Sequence, residues 1–176
     1  MNNFFILTGA PGTGKSSLLA ALQAYKVNIV EEPARAILAE QRKINGEGTY
    51  EQNPFLFKEL MLSRMIHQYD LHSSQSTPVI FDRGIPDIIA YSKCFDLNVG
   101  AESEASIKYR YNPTVFFTPC WEEIYVNDDE RKMTFASALK FEHDLLSIYE
   151  SFGYTINILP KTSVDKRADL VLSFIK

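Results

Sequence analysis

The sequence predicts an α/β fold, in which a parallel β-sheet is covered by helices on both faces. Five short runs rich in β-branched or aromatic residues follow one another along the chain, each bounded by polar or turn residues, as buried strands are. Between these runs lie longer segments with apolar residues at helical spacing. Strands that alternate with helices in this way form parallel sheets, because each helix carries the chain back to the edge where the next strand begins.

Two of the predicted helices have a local signal at one end. Pro33 suits the first turn of a helix, and Gly153 suits the residue after a helix end, where a left-handed conformation is common. No repeat, low-complexity tract or linker divides the chain, so we expect one domain over residues 1–176. The predicted strands are residues 3–8, 27–30, 79–81, 114–117 and 154–159, and the predicted helices are residues 16–24, 33–43, 54–72, 86–95, 102–109, 134–152 and 163–175.

Composition excludes several classes of protein. The 176 residues carry a formal net charge of −4, which argues against a general nucleic-acid-binding protein with a basic surface. No apolar stretch reaches the roughly 18 residues needed to span a bilayer, and the first residues do not resemble a signal peptide. The two cysteines, Cys94 and Cys120, lie far apart without metal-binding spacing. These observations predict a cytoplasmic protein with reduced thiols.

The segment GAPGTGKS, residues 9–16, follows the first predicted strand and opens the first predicted helix. It meets every fixed position of the Walker A pattern, in which glycine-rich backbone amides and a helix N-terminus bind phosphate. Lys15 is expected to reach the β- and γ-phosphates of ATP or GTP, and Ser16 to bind Mg²⁺. The candidate nucleotide-binding residues are Gly9, Ala10, Pro11, Gly12, Thr13, Gly14, Lys15, Ser16 and Ser17.

Other sequence features narrow the kind of phosphate-loop protein. The third predicted strand ends in Asp82-Arg83 rather than the acidic pair of AAA+ motors, and the chain is too short for a motor's helical lid domain. The Asn-Lys-x-Asp motif with which GTP switches read guanine is absent. A small-molecule kinase fits these features better than a motor or a switch.

Asp82 and Arg83 lie where the third strand ends, next to the expected phosphate loop. Ligands bind at the carboxyl edge of a parallel sheet, so Asp82 is a candidate to hold Mg²⁺ through water. The planar guanidinium of Arg83 could donate paired hydrogen bonds to the molecule that accepts the phosphate. A surface salt bridge that closes the strand is the alternative. The pair is similar to the Asp-Arg motif of thymidylate and deoxynucleoside kinases, where it borders the acceptor.

Glu31-Glu32-Pro33 ends the second predicted strand, and only one of two adjacent strand side chains can face the cleft. The Glu-Pro order resembles that of deoxynucleoside kinases, whose glutamate takes the proton of the acceptor hydroxyl. By that resemblance Glu32 is the candidate catalytic base. The alternatives are that Glu32 only caps the next helix, or that Glu31 serves instead.

A charged loop after the fourth predicted strand is a candidate lid, at about residues 119–133. Arg131 is the candidate to close over the transferring phosphate and stabilise its charge, and Lys132 is the second choice. A solvated run of charges is the alternative.

Residues on the second and third predicted helices would flank an acceptor. Arg35 and Arg64 are candidates to bind an acceptor phosphate, although helical arginines commonly lie on the surface. The aromatic residues Phe55, Phe57 and Tyr69 could stack on a base or belong to the core.

The segments GAPGTGKS, EEPAR, VIFDRGIPDIIAY, PCWEEIYVNDDERKMTF, YESFGYTINILP and SVDKRAD together resemble a family of short bacterial ATPases labelled AAA-type. That family is closer to nicotinamide-riboside and nucleoside kinases than to motors. The resemblance covers nearly the whole chain and implies a P-loop NTPase fold like that of nucleoside monophosphate kinases, with a five-stranded parallel sheet of order 2-3-1-4-5. Unlike true nucleoside kinases, the third predicted helix lacks a base-reading glutamine pair.

These observations predict a Mg·ATP-dependent phosphotransferase that acts on a small metabolite, such as a nucleoside, a nucleotide or a riboside. Two alternatives stay open. One is a nucleotide-regulated binding module with a protein partner, and the other is an NTPase whose acceptor is water.

Overall fold

The computed structural model describes residues 3–125 and 133–175, and it confirms the predicted class of fold. The sheet has the order β2-β3-β1-β4-β5, and every pair of neighbouring strands is parallel. This is the order that the sequence resemblance implies. The strands are β1 Phe4–Thr8, β2 Asn28–Val30, β3 Val79–Asp82, β4 Thr114–Phe117 and β5 Thr155–Ile158.

The helices also agree with the prediction, with ends displaced by no more than two residues. Gly153, just after the sixth helix, has a φ of +76°, as predicted for a residue in that place. Among the described helices, none joins the length and the apolar character that a bilayer crossing requires. The helices are α1 Lys15–Ala24, α2 Ala34–Lys43, α3 Pro54–His72, α4 Ile85–Cys94, α5 Gly100–Lys108, α6 Phe135–Ser151 and α7 Val164–Phe174, and a short 3₁₀ turn spans Glu122–Ile124.

The central strand β1 is buried on both faces, which explains its continuous apolar sequence. Successive strand side chains point to opposite faces. Phe4 and Ile6 pack into a core with residues of α3, α4 and α6, whereas Phe5 and Leu7 pack into a second core with residues of α1 and α7. The two cores hold the sheet between two layers of helices.

The carboxyl ends of three strands meet at one edge of this sheet. Leu7 of β1 is opposite Asp82 of β3, and Val30 of β2 is opposite Phe81. The residues that follow β1, β2 and β3 therefore lie close together. This edge carries the phosphate loop, Glu31-Glu32 and Asp82-Arg83, so the topology brings together three segments that the sequence analysis singled out separately.

Candidate active site

The phosphate loop, residues 9–14, connects β1 to α1 and is shaped by glycines at strained positions. Gly9 has a φ of +146°, and a Cβ atom added there would lie 2.3 Å from the carbonyl oxygen of Thr118. Gly14 has a φ of +81° and directly precedes α1. The loop therefore approaches a neighbouring backbone so closely that only glycine fits, and it leads into a helix N-terminus, which favours bound anions.

Lys15 is buried beneath this loop. Its ammonium group donates hydrogen bonds to the carbonyl oxygens of Gly9 at 2.8 Å and Ala10 at 2.9 Å. Burial lowers the pKa of Lys15 to about 7, and the neighbouring Arg83 guanidinium acts in the same direction. The amine is thus held inside the loop by its two hydrogen bonds to loop carbonyls.

Thr118 and Arg167, which were not predicted from the sequence, contact the phosphate loop. The hydroxyl of Thr13 contacts the hydroxyl of Thr118 at 2.7 Å, just beyond β4. Arg167 of α7 is buried, and its guanidinium donates to the carbonyl oxygen of Thr13 at 3.4 Å. The same guanidinium lies 5.9 Å from the ring of Trp121. Both residues are more than 100 positions from the loop in sequence, so no local pattern points to them.

Asp82 ends β3 beside the loop, as predicted from its position. Its Oδ1 atom is buried and has no hydrogen-bond partner within the described residues. Burial raises the pKa of Asp82 to about 6, although the Lys15 ammonium opposes the shift. An unpaired buried carboxylate oxygen suits a hard cation such as Mg²⁺, which takes one or two carboxylates together with phosphate oxygens and water. Ser16 is exposed in the first turn of α1, so both predicted metal ligands fit this ion.

Arg83 joins three segments at the sheet edge. Its Nε atom lies 2.9 Å from Oε1 of Glu32, and its Nη1 atom donates to the Gly9 carbonyl at 3.0 Å and to Oδ1 of Asp87 at 2.9 Å. The φ of Arg83 is +70°, a conformation that costs a non-glycine residue about 1–2 kcal/mol. Burial lowers the pKa of Arg83, but the carboxylates of Glu32, Asp87 and Asp82 outweigh it and raise that pKa above its ordinary value. These contacts offset the strain and fix the guanidinium.

Asp87 anchors Arg83 and is itself fully hydrogen-bonded. Its carboxylate accepts from the hydroxyl of Thr8 at 2.6 Å, from the amide of Gly84 at 3.0 Å and from the buried hydroxyl of Tyr149. Burial, followed by the Asp87 carboxylate, raises the pKa of Tyr149, so its hydroxyl keeps the proton it donates. Neither Asp87 nor Tyr149 was among the residues predicted from the sequence. For Asp87, the available signal was an aspartate in the first turn of α4, where it caps the helix.

We expect Tyr149→Phe to lower the free energy of unfolding by about 1.5–3 kcal/mol, because the charged Asp87 carboxylate loses a buried donor. Urea unfolding followed by circular dichroism measures this change. The matched control is Tyr25→Phe, whose ring is exposed and whose loss of a hydroxyl should cost less than about 0.5 kcal/mol. Equal effects of the two substitutions would contradict the anchoring role of Tyr149.

Glu31 and Glu32 have different surroundings. Glu32 is half-buried and pairs with Arg83. Glu31 is exposed, and its backbone carbonyl accepts a hydrogen bond from Gln68. The N-cap residue of α2 is Pro33, which makes no side-chain cap hydrogen bond, whereas Glu32 precedes it and pairs with Arg83. Of the two glutamates, Glu32 is the one that lies in the cluster around Arg83.

A cavity of about 380 Å³ opens beside this cluster, between the phosphate loop and helices α2, α3, α4 and α6. Phe57 of α3 lines it, whereas Tyr69 packs in the core against Phe4 and Phe81, and Phe55 is exposed. The lining residues are Pro11, Glu32, Ala34, Leu38, Tyr50, Phe57, Met61, Met65, Arg83, Asp87, Ile88, Tyr91, Cys94, Phe95, Met133 and Phe141.

The two arginines predicted to bind an acceptor phosphate do not line this cavity within the described part of the chain. Arg64 forms an ion pair with Glu40 at 2.9 Å on the surface between α2 and α3. Arg35 lies exposed in the first turn of α2. Their predicted role stays a prediction.

Part of the predicted lid lies outside the described residues, and this part includes both Arg131 and Lys132. The described residues on either side of it meet beside the phosphate loop. The hydroxyl of Tyr125 donates a hydrogen bond to the carbonyl of Met133. The Tyr125 ring lies 2.9 Å from the position a Cβ atom would take on Gly12.

Solved structures with the same fold differ widely from this chain in sequence. A deoxyadenosine kinase from M. mycoides with bound dATP superposes with a TM-score of 0.68 at 11% identity, covering 97% of this chain and 98% of that one. A second structure of that kinase, with products dCMP and dCDP, gives 0.63 at 13% identity, with 97% of each chain covered. The YorR protein of Bacillus subtilis, in complex with phosphorylated GDP, gives 0.62 at 17% identity, covering 98% and 95%. These likenesses show the fold.

Sequence comparison identifies the family. No protein of curated function matches the chain. The family model AAA_28, described as an AAA domain, matches residues 4–167, which confirms the resemblance stated from the sequence segments. The matched range begins with β1 and extends to Arg167 in α7, so it includes all the strands and the phosphate loop. The chain therefore belongs to the AAA_28 family of AAA domains.

Proposed function

We propose that this protein transfers the γ-phosphoryl group of Mg·ATP to a hydroxyl group of a small molecule. The observation that carries this proposal is the cavity whose lining includes both Pro11 of the phosphate loop and the Glu32–Arg83 ion pair. A phosphate bound by the loop and a hydroxyl bound in the cavity would meet beside a carboxylate. Phosphoryl transfer depends mainly on such positioning and on charge stabilisation.

On the donor side, the backbone amides and side chains of residues 9–17 hold the phosphates, and Lys15 contacts the β- and γ-phosphates. Ser16 and Asp82 would hold Mg²⁺, a role supported for Asp82 by its buried Oδ1 atom, which has no hydrogen-bond partner within the described residues. Mg²⁺, when bound, would neutralise charge on the transferring phosphate. GTP is the alternative donor.

On the acceptor side, the hydroxyl oxygen attacks the γ-phosphorus while the bond from that phosphorus to the β–γ bridging oxygen breaks and releases ADP. The hydroxyl proton passes to Glu32, which Arg83 holds in place. Arg131, from the lid at about residues 119–133, closes over the phosphate. Arg35 and Arg64 would contact the acceptor only if it carries a phosphate of its own.

The structures with the same fold support this kind of chemistry. Two of the structures described above are of a deoxyadenosine kinase, one with dATP and one with its products bound. The phosphate acceptor of such a kinase is a small metabolite. We propose that the protein acts in the cytoplasm.

Acceptor-dependent formation of ADP tests the proposal. The purified protein is incubated with Mg·ATP and a panel of nucleosides, ribosides and other alcohols, and both ADP and inorganic phosphate are measured. We expect one class of acceptor to raise ADP formation saturably without matching release of phosphate. ADP and phosphate formed in equal amounts with every acceptor would make the protein an NTPase. No turnover, together with a protein partner retained only in the presence of ATP, would make it a nucleotide-regulated binder.

A further inference from the structure

We propose that the cavity binds an uncharged aromatic alcohol, with its ring among the aromatic side chains and its primary hydroxyl beside Glu32. The transfer of phosphate to this alcohol rests on the proposed function, whereas the class of ligand rests on the lining of the cavity. That lining has two chemically different ends: a small polar end near the phosphate loop and a larger apolar body.

The polar end is formed by Glu32, Arg83 and Asp87, and most of its hydrogen-bonding capacity is already used. Arg83 contacts both carboxylates and the carbonyl of Gly9. Both oxygens of Asp87 accept hydrogen bonds from other protein groups. Glu32 pairs with Arg83 through Oε1, and a carboxylate has a second oxygen that can accept a hydroxyl proton. This end has room for one hydroxyl contact.

The apolar body carries a continuous series of aromatic rings. The ring centroids of Tyr50 and Phe57 are 6.1 Å apart, those of Phe57 and Tyr91 are 5.7 Å apart, and those of Tyr91 and Phe95 are 4.8 Å apart. At these spacings the rings pack against one another and form an apolar wall that a flat aromatic ligand can contact. Met61 and Met65 add flexible, polarisable side chains that adapt to a flat ligand. An aromatic ring is therefore the best match for this end.

A charged acceptor fits the described lining poorly. Across residues 3–125 and 133–175, Arg83 is the single cationic side chain that lines the cavity, and two carboxylates already pair with it. A phosphate group on the acceptor would lie beside these two carboxylates, and no further cation of the described lining would pair with it. The described lining therefore favours an uncharged ligand over an anionic one.

A nucleobase also fits poorly, although it has the right shape. The described lining contains no asparagine, glutamine, serine or threonine to read the polar edge of a base. Hydroxyl groups come from Tyr50 and Tyr91, and that of Tyr91 already donates to the carbonyl of Pro54. Each base atom left unpaired should cost roughly tenfold in affinity. An aromatic ring without polar edges avoids this loss.

The test compares two ligands that both carry a fused bicyclic ring and a primary hydroxyl, indole-3-ethanol and 2′-deoxyadenosine. Calorimetric titration of the protein with Mg·ADP present measures their binding to the cavity. We expect the Kd of indole-3-ethanol to be at least tenfold lower. Equal or tighter binding of 2′-deoxyadenosine would overturn the inference, even if that nucleoside were phosphorylated and the proposed function upheld.

Acceptor-dependent ADP formation with the same two compounds separates the two proposals. We expect a higher kcat/KM for indole-3-ethanol than for 2′-deoxyadenosine. Tight binding of indole-3-ethanol without ADP formation from any acceptor would overturn the proposed function, while the binding preference would still support the ligand class.

A substitution in the apolar body tests the cause of the preference. Met65→Gln adds an amide to the wall at nearly constant volume, and we expect it to shift the ratio of the two Kd values toward 2′-deoxyadenosine by about tenfold. Met65→Leu is the control and should leave the ratio unchanged. Met61→Gln replaces it if Met65→Gln does not fold. An unchanged ratio in a folded glutamine variant would contradict the inference.

Discussion

Glu32→Gln is expected to lower kcat for acceptor phosphorylation by 10²–10⁴-fold, with little change in the affinity for Mg·ATP. The amide has the shape of the carboxylate, and its oxygen can still accept the hydrogen bond from Nε of Arg83, so the local geometry is kept. The basic oxygen that takes the hydroxyl proton is lost. Steady-state measurement of ADP formation over a range of acceptor concentrations separates the effect on kcat from that on KM.

Glu31→Gln is the matched control for this prediction. Glu31 is adjacent in sequence, carries the same charge and lies exposed to solvent, so its substitution should leave kcat within about twofold. A large loss in both variants would point to a general effect of charge at the sheet edge. Full activity of Glu32→Gln would exclude Glu32 as the catalytic base.

Local sequence patterns were sufficient to predict the class of fold and the positions of its strands and helices. Buried parallel strands are short and apolar on both faces, and β1 shows this pattern without interruption. Helix ends were marked by residues with specific backbone preferences, of which Gly153 is an example. The strand order was not present in any local pattern and came from the resemblance of the whole chain to a family.

The site was only partly predictable, because its supporting contacts are long-range. The phosphate loop is a local motif, and the fold makes Asp82 its neighbour. Asp87 and Tyr149 are 62 residues apart, and nothing in their flanking sequences indicates that a hydrogen bond joins them. The positive φ of Arg83 is likewise imposed by these tertiary contacts, since arginine has no intrinsic preference for it.

The apolar cavity shows a second limit of sequence patterns. Phe57 and Met65 occur at spacings that suit a helix packed in a core, and both are indeed buried. A cavity wall and a core face have the same periodicity, because both exclude water. The wall can be told from the core only when the packing of α2, α3 and α4 is known.

Lys15→Met is expected to separate the stability of the protein from its activity. The Lys15 ammonium is buried, and the cost of burying its charge is what lowers its pKa to about 7. Methionine fills a similar volume without that cost, but it removes two hydrogen bonds to the loop carbonyls. Because these changes oppose each other, we expect the free energy of unfolding without nucleotide to stay within about 1 kcal/mol of the original value.

The same Lys15→Met substitution should lower kcat/KM for ATP by 10²–10³-fold, because it removes a cation from the β- and γ-phosphates during transfer. Urea unfolding and ADP formation are measured on the same preparation. Lys43→Met, at the exposed end of α2, is the control and should affect neither quantity. If Lys15→Met lowered the free energy of unfolding by more than about 2 kcal/mol, Lys15 would be needed to hold the folded loop together. That result would contradict the expectation that Lys15 serves mainly to bind phosphate. Retained activity in a folded Lys15→Met variant would instead remove Lys15 from the phosphate site.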